Sequence, residues 1–135
     1  MITLCDYSIA PAGPTPERMP DLPFLNRAWR DSMGENVFVA MLDTGCDCLH
    51  PDLEAGIHCP WLDGVETDEV GHGTHVAGII GARSNGFGAC GVAPECFLVP
   101  MKCVPGPWEP IGDALTEAMT RPGVTLIEMT PEAVK

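Results

Sequence analysis

Basic side chains are scarce in this chain of 135 residues, which has 7 Lys and Arg against 19 Asp and Glu and a formal net charge of −12. A surface of this sign repels phosphate backbones and anionic headgroups, so we expect neither nucleic acid nor a membrane as a partner. No apolar run approaches the roughly 20 residues that span a bilayer. Residues 1–6 also lack a basic region followed by an apolar run, so we expect no signal peptide and a cytoplasmic location.

Cys-x-x-Cys pairs are missing as well. The cysteines number seven, an odd set, and without an export signal they are most simply reduced thiols. The one close spacing, Cys46 and Cys48, is too little evidence for a zinc site. We therefore predict structural thiols at Cys5, Cys46, Cys48, Cys59, Cys90, Cys96 and Cys103.

Proline is concentrated near the start of the chain, where five of the 14 prolines lie between residues 10 and 23. Such a stretch excludes regular helix. We predict that residues 1–32 form a proline-rich arm and a short helix at 25–32. Residues 33–135 have room for one domain with a modest core.

Apolar patterning within residues 33–135 predicts strands at 37–42, 97–101 and 124–127, and helices at 72–82 and 111–120. Strands that alternate with helices are typical of an α/β domain with a parallel sheet. The first strand is apolar on both faces, which favours a central position. Pro100 within the second strand predicts a bulge or irregular pairing.

Two chemical groups stand at the ends of these elements. Asp43 follows the first strand directly, and Gly45 permits a sharp turn after it. The carboxyl ends of parallel strands are where α/β proteins place their chemistry. His72 begins a helix, from which its ring can project toward that strand end. A carboxylate fixed there can hold an imidazole by Nδ1–H and set its tautomer and orientation.

Three segments carry a resemblance to a known family: DTG at 43–45 with HPDL at 50–53, HGTHVAG at 72–78, and GVAP at 91–94. In this order they resemble the motifs of the subtilisin-like serine proteases (subtilases). The resemblance implies a subtilisin-like three-layer α/β fold with a parallel sheet, here truncated. It also implies that Asp43 orients the imidazole, that His72 is the general base, and that His75 is structural. A zinc site on the two histidines has no third ligand at a suitable spacing.

The resemblance also suggests a calcium loop. Many subtilases bind Ca²⁺ in the region that corresponds to residues 83–89, together with the aspartate of the HPDL segment. The oxygen ligands implied here are the side chains of Asp52 and Asn85 and the carbonyls of Arg83, Phe87 and Ala89. An ordinary glycine turn, in which Asp52 forms local hydrogen bonds, is the alternative. Both stay open at this point.

The family's nucleophile is a serine in a Gly-Thr-Ser-Met-Ala-type segment, and none of Ser8, Ser32 and Ser84 stands in such a context. We therefore expect hydrolysis of a polypeptide substrate only if a second chain supplies the serine half. A non-catalytic binding module or a remnant fragment with the same fold is the alternative. Residues 128–133 also replace the family's flat Ser-Leu-Gly-Gly-like edge, and no long propeptide is visible.

Overall fold

The computed structural model describes residues 23–58, 67–103, 113, 116, 118–120 and 123–129. The arm predicted for residues 1–22 lies outside this part of the chain, and the domain boundary at residue 32 stays a prediction. Helix α1 spans Pro23–Ala28. It begins with proline, which suits the first helical position because the missing N–H would have no partner there. The predicted helix at 25–32 was therefore placed slightly too late.

The described strands form a parallel sheet in the order β2-β1-β3, with β1 at Phe38–Asp43, β2 at Phe97–Lys102 and β3 at Val124–Met129. The last five residues of β1 are all buried, as expected for the central strand of a parallel sheet. This sheet and its helices confirm the predicted α/β class.

The prediction of a bulge or irregular pairing at Pro100 is wrong. Pro100 pairs with Met41 in an unbroken register between β1 and β2. The N–H groups of Phe97 and Cys103 donate to Val37 and Asp43, so odd-numbered residues of this segment turn their N–H toward β1. The nitrogen of Pro100 faces the other way and is not needed in this ladder. The register shift lies instead between Phe38 and Val39, opposite β3.

Helix α2 spans His72–Gly81 and packs against the sheet through small residues. Gly73, Ala77, Gly78 and Gly81 are its buried positions. A Cβ on Gly81 would lie 3.0 Å from the sulfur of Cys96. The glycines therefore offset their low helix propensity by letting the helix approach the sheet closely.

Apolar residues fill both faces of the sheet. One cluster joins Val39, Met41 and Leu98 to Ala77 of α2. The other joins Leu42 and Met101 to Ala118, which is helical like the other described residues of the predicted helix at 111–120. At the outer edge, Leu126 and Ile127 of β3 are 57% and 37% exposed.

Five of the seven cysteines lie in the described part of the chain, and all five are buried thiols without a disulfide. Burial raises the pKa of Cys96, and it raises the pKa of Cys103 to about 11. Protonated thiols of this kind are inert, which agrees with a structural role. No helix among the described residues is long and apolar enough to cross a membrane.

Candidate active site

The site begins at the carboxyl end of β1, where Asp43 is the last strand residue and is 1% exposed. The chain then turns at Gly45, whose φ of 111° is a conformation that glycine adopts readily. A Cβ at Gly45 would lie 2.4 Å from the carbonyl oxygen of Thr67. Glycine is thus required here by both backbone conformation and space, and the turn directs the Asp43 side chain toward the neighbouring helix.

His72 is the first residue of α2 and follows Gly71, which has a left-handed φ of 85°. The next residue, Gly73, lies against the turn after β1. A Cβ there would be 2.0 Å from the carbonyl oxygen of Gly45 and 3.2 Å from Cβ of Asp43. Only a residue without a side chain permits this approach, and the approach brings the imidazole to the carboxylate.

The His72 ring and the Asp43 carboxylate form the polar pair that the sequence predicts. Nδ1 of His72 lies 2.9 Å from each carboxylate oxygen of Asp43. The backbone N–H of Thr44 donates to Oδ1 of Asp43 at 2.6 Å. The Asp43 side chain is 1% exposed and that of His72 is 47% exposed. The buried carboxylate of Asp43 therefore holds an imidazole ring that remains accessible to a reacting group.

A second carboxyl group, Glu128 on β3, lies near this pair. Glu128 is opposite Met41 in the register, and its Oε2 is buried without a hydrogen-bond partner among the described residues. Burial and then the charge of Asp43 raise the pKa of Glu128, while His72 lowers it. The same two carboxylates add to the burial that raises the pKa of Cys103. Glu128 was not predicted from the sequence, because its position depends on the pairing of two distant strands.

Asp68 is another residue that the sequence analysis missed. Its carboxylate accepts hydrogen bonds from Thr44 and from the first turn of α2, including both the N–H and the hydroxyl of Thr74 at 2.8 and 2.7 Å. Burial alone would raise the pKa of Asp68, but the hydrogen bonds from Thr74, Thr44 and Gly71 outweigh it and lower that pKa. An acid four residues before a helix-starting histidine was the available signal.

The residues predicted to bind calcium do come together in one loop, but around N–H donors. Oδ2 of Asp52 accepts the N–H of Ala89 at 3.0 Å, and its Oδ1 lies 3.3 Å from the amide nitrogen of Asn85. Oδ1 of Asn85 accepts the N–H of Phe87 at 3.2 Å. The carbonyl oxygen of Arg83 accepts the N–H of Asn85 at 3.0 Å. In the structure this arrangement is a hydrogen-bonded turn, and the calcium site, which would need six to eight oxygens around the ion, stays a prediction.

His75 is half-buried one turn further along α2, and its N–H donates to Gly71 at 3.1 Å. Within the part of the chain that the structure describes, no three His, Cys, Asp or Glu side chains come together as a metal site. The structural role predicted for His75 stays a prediction.

A carboxylate at a strand end of the parallel sheet and an imidazole at a helix start can together position a ring nitrogen for proton transfer. The family model described as "Subtilase family" matches residues 34–122, which is more than half of the chain. The chain belongs to the subtilase family.

Two curated relatives show how far the similarity extends. The chain is 46% identical over 81 residues to the "Major intracellular serine protease" of Bacillus subtilis (strain 168), covering 54% of this chain and 25% of that protein. It is 49% identical over 82 residues to the "Intracellular serine protease" of Paenibacillus polymyxa, covering 55% and 25%. The chain thus spans about a quarter of the length of these relatives.

One solved structure extends the fold comparison. The "Prenylagaramide maturation protease PagA" superposes with a TM-score of 0.61 at 27% identity, covering 78% of this chain and 38% of that one. The fold of this chain is therefore the subtilisin-like α/β fold.

Proposed function

We propose that this chain provides the acid–base half of a subtilisin-like serine endopeptidase, with Asp43 as the orienting acid and His72 as the general base. The observation that carries the proposal is the 2.9 Å contact between Nδ1 of His72 and the buried carboxylate of Asp43. A hydrogen bond from Nδ1–H to this carboxylate leaves Nε2 as the acceptor for a hydroxyl proton.

The chemistry follows from this geometry. As a serine attacks a peptide carbonyl, Nε2 of His72 takes the hydroxyl proton, and the carboxylate of Asp43 stabilises the imidazolium that forms. The N–H of Thr44 keeps that carboxylate oriented. His72 then returns the proton to the leaving amine. None of the three serines in these residues has the family's serine context, so the nucleophile comes from further along the same polypeptide or from a second chain.

The names of the relatives support the reaction class and the location. Both curated relatives described above are named as serine proteases, and both names include the word intracellular. We accordingly propose polypeptides as substrates and the cytoplasm as the location. The net charge of −12 supports the expectation that neither nucleic acid nor a membrane is a partner.

A non-catalytic binding module with the same fold is the second candidate. The sequence favours it, because none of Ser8, Ser32 and Ser84 stands in the family's serine context. A remnant fragment would carry the same feature. One result separates these candidates from the protease: a supplied serine should restore hydrolysis in the protease and should not restore it in a binding module or a remnant.

The experiment compares the 135-residue chain with a chimera. In the chimera, the part of the Bacillus subtilis relative that follows its counterpart of Lys135 is joined after Lys135. We expect that the chain alone neither cleaves casein nor reacts with a fluorophosphonate probe, since loss of a triad nucleophile costs about 10⁶ in kcat. The chimera should do both. Labelling of the chain alone would overturn the proposal that the nucleophilic serine lies outside these 135 residues. A folded but inactive chimera would favour the binding module.

Melting of the purified chain tests whether this loop binds calcium or remains the hydrogen-bonded turn. Because N–H donors already satisfy Asp52, we expect the same Tm in millimolar CaCl₂ and in chelator. A Tm that rises in calcium would mean that the loop rearranges its oxygens around the ion, since a ligand that binds only the native state stabilises it.

A further inference from the structure

The Asp68 carboxylate connects two separate segments of the chain. Its Oδ1 accepts the hydroxyl of Thr44 at 2.8 Å, the N–H of Gly71 at 2.8 Å and the N–H of Val70 at 3.2 Å. Its Oδ2 accepts the N–H and the hydroxyl of Thr74 at 2.8 and 2.7 Å. Both oxygens are therefore committed, with one bond to the turn after β1 and the others to the start of α2.

These two segments carry the two members of the polar pair. Thr44 directly follows Asp43, whereas Gly71 and Thr74 lie on either side of His72. The Thr44 hydroxyl donates to Asp68 and also accepts the N–H of Gly73 at 2.9 Å. A displacement of α2 relative to β1 would have to break these bonds before it separated His72 from Asp43.

Packing alone does not restrain the imidazole. The His72 side chain is 47% exposed, so its location depends strongly on the backbone at the helix start and on contacts such as its bond to Asp43. An ordinary N-terminal cap satisfies N–H groups of its own helix. Asp68 does this at Gly71 and Thr74 and in addition bonds to a different element. Its negative charge is also favourable beside the helix N-terminus.

We propose that Asp68, acting through Thr44, is a positioning residue that holds the start of α2 against the end of β1 and thereby fixes His72 on Asp43. This inference rests on the proposed function, because it assigns Asp68 to the positioning of the acid–base pair. It goes beyond that proposal in naming a residue outside the two motifs that supply the pair.

The test uses nuclear magnetic resonance of the full chain to observe the Nδ1 proton of His72, assigned by its loss in His72→Gln. In Asp68→Asn, one oxygen becomes an NH₂ group that faces donors. We expect the Nδ1–H signal to exchange faster with water or disappear. Asp31→Asn removes the same charge at an exposed position and should leave the signal unchanged.

Thr44→Val is the second variant, and it keeps the bonds from Asp68 to α2. It removes both bonds of the Thr44 hydroxyl, to Asp68 and from Gly73, at a side chain of similar shape that is 8% exposed. We expect the same loss of the Nδ1–H signal. In the chimera, both variants should lower kcat by about 10- to 100-fold with little change in KM, since a shift of about 1 Å at a reacting group has that effect.

The outcomes are distinguishable. If the unmodified chain shows no Nδ1–H signal that depends on Asp43, the pair is absent, and the proposed function fails together with the inference that rests on it. If the signal is present and persists in both variants while Tm falls, Asp68 is a helix cap only and the inference is wrong. If Asp68→Asn does not fold, Thr44→Val decides whether the Thr44 hydroxyl, which bonds Asp68 and Gly73, holds the pair in place; an unchanged signal in that variant overturns the inference.

Discussion

Replacing Gly73 with alanine tests how closely α2 must approach β1. The new Cβ would lie 2.0 Å from the carbonyl oxygen of Gly45, whereas Cβ contacts under 3.0 Å essentially never occur. The obstructing atom belongs to the backbone, so no side-chain rotation relieves the clash. The helix start or the turn must therefore move by about 1 Å, which lengthens the 2.9 Å bond between His72 and Asp43 beyond the range of a hydrogen bond.

Two effects on stability oppose each other in this variant. Alanine is favoured over glycine within a helix by about 1 kcal/mol. Overpacking of a close contact costs about 1–3 kcal/mol, and a rigid backbone contact belongs at the upper end of that range. We expect a net loss of about 1–2 kcal/mol in the free energy of unfolding, measured by urea denaturation, together with loss of the His72 Nδ1–H signal.

Gly86→Ala is the matched control. Gly86 has a φ of 90°, and an added Cβ would meet nothing within 4 Å. The left-handed backbone should cost alanine about 1–2 kcal/mol, which is similar to the loss expected at Gly73. The control should therefore lose stability and keep the His72 signal. A Gly73→Ala variant that is as stable as the native chain and retains the signal would refute the steric argument.

Two further predictions concern the carboxylates around His72. Because the folded-state pKa of Glu128 is raised, its favourable contribution to stability is complete at low pH and is lost as pH rises through that value. Glu128→Gln should therefore raise Tm at pH 7, by an amount that corresponds to about 1 kcal/mol in the free energy of unfolding. Near pH 4 the variant and the native chain should have the same Tm. A gain in Tm that is independent of pH would contradict the reasoning. In the chimera, Asp43→Asn should lower kcat about 10⁴-fold with little change in KM, because the amide favours the wrong imidazole tautomer. A loss in KM alone would mean that Asp43 serves substrate binding instead.

The central strand and the contact between Asp43 and His72 could be predicted because their signals are local. The apolar run at 37–42 is a pattern within one segment, and Asp43 and His72 stand at the ends of such segments. Pro100 was misjudged for a reason that sequence does not show. Its effect depends on which side of β2 its nitrogen faces, and the structure turns that nitrogen away from β1.

Asp68 and Glu128 were missed because their roles depend on distant parts of the chain, although the position of Asp68 before the helix was a local signal. Asp68 reaches Thr44, 24 residues earlier, only after α2 has packed against β1. Glu128 lies near Asp43 only through the register of β1 and β3. The loop around Asp52 illustrates a finer limit. The sequence supplies suitable oxygens, but the orientation of the Asn85 amide and the Ala89 N–H decides what surrounds the carboxylate.

The most direct test of the acid–base assignment compares His72→Gln with His75→Gln in the chimera. The two histidines lie on the same helix, one turn apart, and His72 forms the 2.9 Å contact with Asp43. We predict that His72→Gln lowers kcat by about 10⁶, as expected for a triad base. His75→Gln should keep kcat within about tenfold, a difference of less than about 1.4 kcal/mol in the barrier. Equal losses in the two variants, or a greater loss at His75, would contradict the account.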